Sequence, residues 1–273
     1  REREARRERM GRVSMSIDSG EKSGRLVAEL RGISKSFGGR QIIKGLNFRL
    51  MRGDRLGLVG PNGAGKTTTI SLLSTLLLPT KGEILIDGID IRKIKISSLR
   101  RHFGQMLQDV FLFSGTIRSN IVLREDNISD EEIMQVCRYV NADHFINKLD
   151  HGLDEEVRER GNNFSAGQRQ LLSFARTIIH KPSVMILDEA TAAMDTETEC
   201  QISNAIDKLI VGHTTISIAH RLSTLKNCNY LMSIDNGELA EMGTAEELLA
   251  RRGIYYKLWT LQTEQMQKVM EGN

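Results

Sequence analysis

Long apolar runs are missing from this sequence of 273 residues. A helix that crosses a bilayer needs about 18 or more predominantly apolar residues, and no such run occurs. The N-terminus is charged, whereas a secretory signal peptide would be apolar there. We therefore expect neither a spanning helix nor a signal peptide. If the protein works at a membrane, the spanning part is expected on another segment or another chain.

An excess of one charge is also missing outside the N-terminus. The formal net charge is +3, and the first twelve residues supply it alone with six arginines and three glutamates. The remainder of the chain is therefore neutral overall. A neutral body argues against a general nucleic-acid-binding surface, because such surfaces carry a clear excess of Lys and Arg.

Cysteine is scarce, with only Cys137, Cys200 and Cys228 scattered along the chain. No CxxC pair occurs, so the spacing of a zinc site or of a redox motif is absent. This usage suits a reducing cytosol. We expect the three cysteines to be small buried apolar side chains rather than redox groups.

The texture of the sequence changes near residue 26. Residues 1–25 alternate Arg with Glu and then turn to Gly and Ser, which is typical of a charged linker or tail, with a nucleic-acid-binding arm as the alternative. Residues 26–265 have the patterns of one folded domain, and 266–273 are expected to be a tail. No internal repeats occur.

Apolar patterns within 26–265 alternate between strand-like and helix-like segments, which predicts an α/β fold. Strands are expected at 27–33, 46–50, 56–59, 82–88, 184–188 and 214–220. Helices are expected at 67–78, at 131–140, after Ser165 and at the C-terminus. The segment 231–243 is expected to form a hairpin that turns at Asn236-Gly237.

A phosphate-binding loop follows the strand at 56–59. The segment from Gly60 to Thr67 matches GxxxxGK[ST] between a strand and a helix, which is the context such a loop requires. Its glycines let backbone N–H groups converge on phosphate oxygens, and the helix directs its positive end at them. Lys66 is expected to reach the β and γ phosphates, and the Thr67 hydroxyl to bind Mg²⁺. The alternative is an ordinary Gly-rich turn. The nucleotide-binding positions are Gly60, Pro61, Asn62, Gly63, Ala64, Gly65, Lys66, Thr67 and Thr68.

An acidic pair ends the apolar strand at 184–188. A carboxylate at the C-terminal end of a parallel strand faces the ligand crevice of an α/β sheet. Asp188 is therefore expected to hold Mg²⁺, directly or through water, and Glu189 to polarise the attacking water. The alternative is a solvated acidic pair in a loop.

These motifs resemble those of ATP-binding cassette (ABC) ATPases, and a further segment strengthens the resemblance. Phe164-Ser-Ala-Gly-Gln168-Arg-Gln170 is similar to the family's LSGGQ signature, with Phe and Ala as variants. Ser165 is also expected to cap the following helix with Gln168 as its capping-box partner. The resemblance implies that Ser165, Ala166, Gly167 and Gln168 contact the γ-phosphate held by a second, opposing cassette.

Four more positions match the family's motifs, and their roles are implied by the resemblance. Gln108 matches the Q-loop glutamine that touches Mg²⁺ and the attacking water, and Asp195 matches the D-loop aspartate. His220 matches the switch histidine that contacts the γ-phosphate. Phe37 occupies the position of an aromatic that stacks on adenine, with a core aromatic as the alternative.

The resemblance implies a complete ATPase. The catalytic residues are Lys66, Glu189 and His220; the metal ligands are Thr67, Gln108 and Asp188; the cofactors are ATP and Mg²⁺. The implied fold is a P-loop ATPase with a mixed core sheet, an antiparallel β subdomain and a helical subdomain at about 105–180. The implied partners are a second nucleotide-binding domain, identical or different, and a transmembrane domain.

Two functional classes within the family resemble different parts of this sequence. The segment 81–265, including the loop at 157–161 before the signature, resembles the nucleotide-binding domain of an exporter at the cytoplasmic face of the cell membrane. The first 65 or so residues resemble the entry to the second cassette of an ABC-F protein, a soluble ATPase that acts on ribosomes. We expect the exporter function, with no nucleic-acid partner unless the ABC-F alternative holds.

Overall fold

The structure is a computed structural model. It describes residues 26–271 except 75, 107–109, 124–126, 189–201, 203, 209, 211–212, 219–224 and 226–227. The chain divides into two compact units, of which the second runs from Gly104 to His213 and the first comprises what precedes and follows it.

The described strands and helices follow in chain order. The strands are β1 (Leu26–Phe37), β2 (Arg40–Met51), β3 (Arg55–Val59), β4 (Lys81–Ile86), β5 (Ile89–Asp90), β6 (Phe103–Met106), β7 (Gly115–Thr116), β8 (Glu156–Val157), β9 (Val184–Asp188), β10 (Thr214–Ile218), β11 (Tyr230–Asp235) and β12 (Glu238–Gly243). The helices are α1 (Lys66–Leu73), α2 (Ile96–Arg101), α3 (Ile117–Val122), α4 (Asp130–Tyr139), α5 (Asp143–Ile146), α6 (Ala166–Ile179), α7 (Ala245–Arg251) and α8 (Ile254–Glu271).

The first unit contains an antiparallel sheet in the order β2-β1-β4-β5. In β2 the buried side chains are spaced along one face, at Ile43, Leu46, Phe48 and Leu50, while most of their neighbours are exposed. One packed face and one wet face are usual for an antiparallel sheet. The strands predicted at 27–33 and 46–50 are confirmed, and both are longer than predicted because the two strands pair as far as the turn at residues 38–39.

The same unit holds the strands that carry the predicted phosphate loop. β3 is parallel to both β10 and β11, and β11 pairs with β12 in an antiparallel hairpin. Every residue of β10 is buried, as expected for a parallel strand covered on both faces. The hairpin turns at Asn236-Gly237, which confirms the sequence prediction.

The helix predicted at 67–78 was wrong at its C-terminal end. Helix α1 ends at Leu73, where the Ser74 hydroxyl donates a hydrogen bond of 2.9 Å to the carbonyl of Ile70. Pro79 disfavours helical conformation at Leu78, the residue directly before it. The apolar residues 76–78 lie in a bend and an irregular segment after the helix.

The second unit, residues 104–213, is built around α6. The buried side chains of α6 include Leu171, Leu172, Phe174 and Ala175, and they pack in one apolar core with buried residues of α3 and α4. β9 and β6 are neighbouring strands. The helices at 131–140 and after Ser165 are confirmed. The predicted helical region at about 105–180 lies within this unit.

None of the helices in the described part of the chain combines the length and the apolar character that crossing a bilayer requires.

Candidate functional site

The loop from Gly60 to Gly65 connects β3 to α1 and packs too tightly for side chains at two positions. A Cβ added to Gly60 would lie 2.2 Å from the carbonyl oxygen of Ile234, and one added to Gly65 would lie 2.6 Å from the Ile43 Cδ1. Both glycines have a positive φ, 146° and 107° respectively. The glycines that the sequence motif demands are therefore required here by the backbone path and by its close neighbours.

Lys66 is buried within this loop, with 6% of its surface exposed. Its Nζ donates hydrogen bonds of 2.5 Å to the carbonyl of Gly60 and 2.9 Å to the carbonyl of Pro61. An ammonium held on the curve of the loop gives the loop a fixed positive charge. The loop thus presents a cation beside its own backbone amides.

The first turn of α1 suits an anion. Within the described residues, no side chain caps this helix and no acidic residue lies in its first turn. The first N–H groups of a helix have no partner inside the helix, and the helix dipole is positive there. Phosphate groups fit such an end. The exposed Thr67 hydroxyl at the same place is a hard oxygen ligand of the kind Mg²⁺ accepts beside substrate phosphates.

A cleft of about 430 Å³ opens on the loop, a volume in the usual range for small-ligand sites. None of the described residues that line it is acidic, so its charge favours an anionic ligand. They are Phe37, Arg40, Ile42, Asn62, Gly63, Gly65, Lys66, Thr67 and Thr68.

Phe37 is a wall of this cleft and not a core residue. Its side chain is 46% exposed, although most aromatic residues of this size are largely buried. The Lys35 Nζ lies 5.0 Å from the centre of its ring, within cation–π range. The alternative of a core aromatic is therefore wrong, and the stacking of Phe37 on adenine stays a prediction.

Asp188 is the last residue of β9, after four buried residues, and is itself half-buried. This is the strand-end position that the sequence predicted. It belongs to the second unit, and its role as a metal ligand stays a prediction.

The signature segment forms the N-terminus of α6. The Ser165 hydroxyl accepts a hydrogen bond of 3.2 Å from the Gln168 backbone N–H, and the Gln168 Oε1 accepts one of 2.9 Å from the Ser165 N–H. The predicted capping box is confirmed. Ser165, Ala166 and Gln168 remain exposed or half-exposed, whereas Gly167 is buried. The segment thus offers a helix N-terminus at the surface of the second unit.

Four predicted site residues lie outside the described residues: Gln108, Glu189, Asp195 and His220. Their roles stay predictions.

Comparison with known proteins identifies the family. The family model described as ABC transporter matches residues 43–192, which include the phosphate loop, the signature segment and the acidic strand end. The chain belongs to the ABC transporter family. It is an ABC ATP-binding domain of the α/β fold class, and such domains bind ATP and are ATPases.

Several ABC relatives are similar to this chain over most of its length. The probable multidrug resistance ABC transporter ATP-binding/permease protein YheH of Bacillus subtilis is 42% identical over 242 residues, which is 88% of this chain and 36% of the relative. The ATP-dependent lipid A-core flippase of Syntrophus aciditrophicus is 41% identical over 234 residues, which is 86% of this chain and 39% of the relative. The chain thus spans less than half the length of these relatives.

A solved structure of a bacterial Atm1-family ABC exporter with ATP bound is also similar. It matches with a TM-score of 0.81 and 37% sequence identity, over 92% of this chain and 44% of the exporter chain. The match confirms the predicted ABC-type ATPase fold, with an antiparallel sheet and helices.

The structure of this ABC domain adds a polar network that sequence reasoning missed. Arg176 of α6 donates hydrogen bonds of 2.7 Å to the Asn120 carbonyl, 2.9 Å to the Asn120 Oδ1 and 2.9 Å to the Phe111 carbonyl. Asn120, which is 1% exposed, in turn donates to the carbonyls of Phe113 and Thr116 at 2.7 and 3.0 Å. Burial lowers the pKa of the Arg176 guanidinium.

This network holds two aromatic side chains at the surface of the second unit. Phe111 and Phe113 are 51% and 54% exposed, and their ring centres lie 5.1 Å apart in an edge-to-face arrangement. The Arg176 guanidinium lies 5.8 Å from the centre of the Phe113 ring. The sequence signal for these residues was the apolar stretch after Gln108, but nothing in it marked Asn120 or Arg176 as its supports.

Proposed function

We propose that this chain is the ATP-hydrolysing domain of an ABC exporter and couples ATP binding and hydrolysis to transport across a membrane. One observation carries the proposal: the cleft that joins an exposed aromatic, Phe37, to a phosphate loop with a buried cation, Lys66. ATP contains a group that matches each of them: an adenine base that can stack on the ring and a triphosphate whose charge the cation can neutralise. The similar ATP-binding/permease proteins support the exporter assignment.

Mg²⁺ fits the phosphate loop because the exposed Thr67 hydroxyl is a hard oxygen ligand beside the phosphate cradle. Asp188 and Gln108 are the further ligands that the family resemblance implies. When bound, Mg²⁺ would supply positive charge that offsets the negative charge of the phosphates. Lys66 adds a second positive charge to the same oxygens. Glu189 orients the attacking water, and His220 contacts the transferring phosphoryl group. Catalysis of this kind rests mainly on positioning and electrostatics.

A second nucleotide-binding domain completes each site in this proposal. The exposed N-terminus of α6, capped by Ser165, contacts the γ-phosphate bound by the opposing domain, and Asp195 contributes across the same interface. A 14-residue helix presents its positive end there without an acidic residue in its first turn. Two ATP molecules then lie between two domains arranged head to tail.

A transmembrane domain is the second partner. The exposed pair Phe111 and Phe113 gives the apolar anchor of a docking surface for an amphipathic cytoplasmic segment of that domain. Arg176 ties the backbone beneath this pair to α6, whose other end carries the signature segment. Movement of α6 on ATP binding is thereby passed to the docking surface. The protein then works at the cytoplasmic face of the cell membrane, and its transported substrate is chosen by the transmembrane partner.

The alternative function, a soluble ABC-F ATPase on the ribosome, rests on the resemblance of the first 65 or so residues. Residues 1–25 lie outside the described residues. One experiment separates the two functions: an immunoblot of membrane, cytosol and ribosome fractions from the source cell, with an antibody against this domain. The exporter assignment predicts a membrane band, well above the mass of this chain if the spanning part is fused to it. A band confined to cytosol or ribosomes would reverse the assignment.

A further inference from the structure

The turn of the hairpin β11–β12 lies against the phosphate loop. The backbone N–H of Gly237 donates a hydrogen bond of 3.0 Å to the carbonyl of Ala64, which lies inside the loop. The Gly237 carbonyl accepts one of 2.8 Å from the Lys44 N–H of β2. The two polar backbone groups of a single residue thus join the loop to the strand beside it, and each satisfies a group that would otherwise need another partner.

The contact leaves no room for a side chain at this residue. A Cβ on Gly237 would lie 2.0 Å from the carbonyl oxygen of Ile42, 2.8 Å from its carbonyl carbon and 3.2 Å from the Cα of Ile43. The obstacle is backbone, which cannot rotate away as a side chain can. Ile42 itself lines the nucleotide cleft. A shift of the turn would therefore move a wall of the cleft or the loop.

The hairpin lies close to the phosphate loop at both ends of the loop. At the start of the loop, a Cβ on Gly60 would lie 2.2 Å from the carbonyl oxygen of Ile234. At the other end, a Cβ on Gly65 would lie 3.8 Å from the Cα of Gly237. Tight packing of this kind resists small displacements, because each neighbour fills the space into which the loop would move.

A second hairpin of the same unit has a turn of the same backbone conformation but without close neighbours. The turn Asp87-Gly88 between β4 and β5 has φ values of 47° and 77°, and Asn236-Gly237 has 47° and 82°. A Cβ on Gly88, however, has no heavy atom within 4 Å. The two turns impose the same demand on the backbone, but only Gly237 has a neighbour that forbids a side chain.

We infer that the β11–β12 hairpin is a brace for the nucleotide site and that Gly237 is a positioning residue, which sets the path of the phosphate loop without touching the nucleotide. The inference rests on the proposed ATP site. It extends the site to a segment more than 160 residues away in sequence, outside the motifs of the family model match at 43–192.

The test compares Gly237→Ala with Gly88→Ala in the full chain. Each variant places an alanine at a positive φ, so both lose some stability for the same reason. Affinity for the fluorescent nucleotide mant-ATP with Mg²⁺ is measured well below the unfolding transition of each variant. We expect Gly237→Ala to weaken binding by at least about tenfold, because small displacements of positioning groups have large effects. We expect Gly88→Ala to stay within about twofold. Equal affinities for the two variants would overturn the inference.

A measurement on the wild-type chain tests the inference even if Gly237→Ala does not fold. Amide hydrogen exchange is followed by mass spectrometry with and without Mg-ATP. We expect ATP to slow exchange at 60–68 and also at 42–46 and 235–239, but not at the control turn 86–90. Slowing at 60–68 alone would overturn the brace and leave the proposed function intact. No slowing at 60–68 and no mant-ATP binding would overturn the proposed function and the brace together.

Discussion

Lys66 has a structural role in the phosphate loop and a proposed role in binding phosphate. Its Nζ donates hydrogen bonds to the carbonyls of Gly60 and Pro61 and so supports the loop. In the proposed site it also supplies positive charge to phosphate oxygens. Removal of the side chain takes the Lys66 donor from both carbonyls, and only Pro61 keeps another donor within the loop, the Ala64 N–H at 3.2 Å. In the proposed site, the loop and the ATP phosphates therefore depend on the same ammonium.

Lys66→Ala is expected to lose ATP binding, with affinity weakened by at least about tenfold, the scale of one lost charge-assisted hydrogen bond. Mant-ATP titration measures this, and Lys93→Ala, an exposed lysine of the same unit, is the matched control. The control should bind as the wild-type chain does. Unchanged affinity in Lys66→Ala would contradict the role given to this residue.

Cys137 is a buried apolar residue of the kind the sequence predicted. It is fully buried, and burial, with a smaller contribution from Asp143, raises the pKa of its thiol to about 12. Only the thiolate reacts with alkylating reagents. In the unfolded chain the thiol has its ordinary pKa of about 8.5. The thiol is therefore less reactive in the folded chain than in the unfolded chain.

Iodoacetamide at pH 8 is therefore expected to modify Cys137 at least about a hundredfold more slowly in the folded chain than in urea, because both thiolate and access are lost. Peptide mass spectrometry measures the two rates. Reactivity of the folded thiol should keep rising with pH above 8 because its pKa is about 12, whereas that of the unfolded thiol levels off above its pKa of about 8.5. Equal rates in the folded and unfolded chain would refute this account of Cys137.

Three described helices of the second unit, α3, α4 and α6, begin with a capping box. Ser165 and Gln168 form a capping box at α6, and Ser129 and Glu132 form one at α4. The two are equivalent for helix stability. Only the box at α6 belongs to the segment that resembles the signature, so the pair separates a stabilising role from a catalytic one.

Ser165→Ala and Ser129→Ala are each expected to lower the free energy of unfolding by about 1 kcal/mol, the usual cost of a lost cap. Urea titrations measure this loss. ATP hydrolysis should fall in Ser165→Ala but stay near normal in Ser129→Ala, because only the first serine contacts the opposing nucleotide in the proposed dimer. Equal hydrolysis by the two variants would remove Ser165 from the site.

Local sequence patterns predicted most of the helices and strands, but they did not predict contacts between residues far apart in sequence. The phosphate loop, the α6 cap and the Asn236-Gly237 turn were predictable because each depends on residues adjacent in sequence. The end of α1 was misjudged because three apolar residues at 76–78 looked helical, whereas the helix ends at Leu73. The partners of Arg176 lie 56 and 65 residues away, and no local signal marks them.

One domain of this kind supplies half of each proposed site. The phosphate loop belongs to the first unit and the signature helix to the second, and in the proposed dimer each acts on a different ATP. Hydrolysis should therefore depend on the meeting of two copies in solution, unless another chain provides the partner. The rate per chain is then expected to rise with protein concentration.

The rate of phosphate release from Mg-ATP by the wild-type chain and by Glu189→Gln tests the central claim most directly. The account predicts release by the wild-type chain, with a rate per chain that rises with concentration. It predicts a rate at least about a hundredfold lower in Glu189→Gln, the scale of general-base loss, with mant-ATP still bound. Near-normal turnover by Glu189→Gln would contradict the role of this carboxylate and the mechanism built on it.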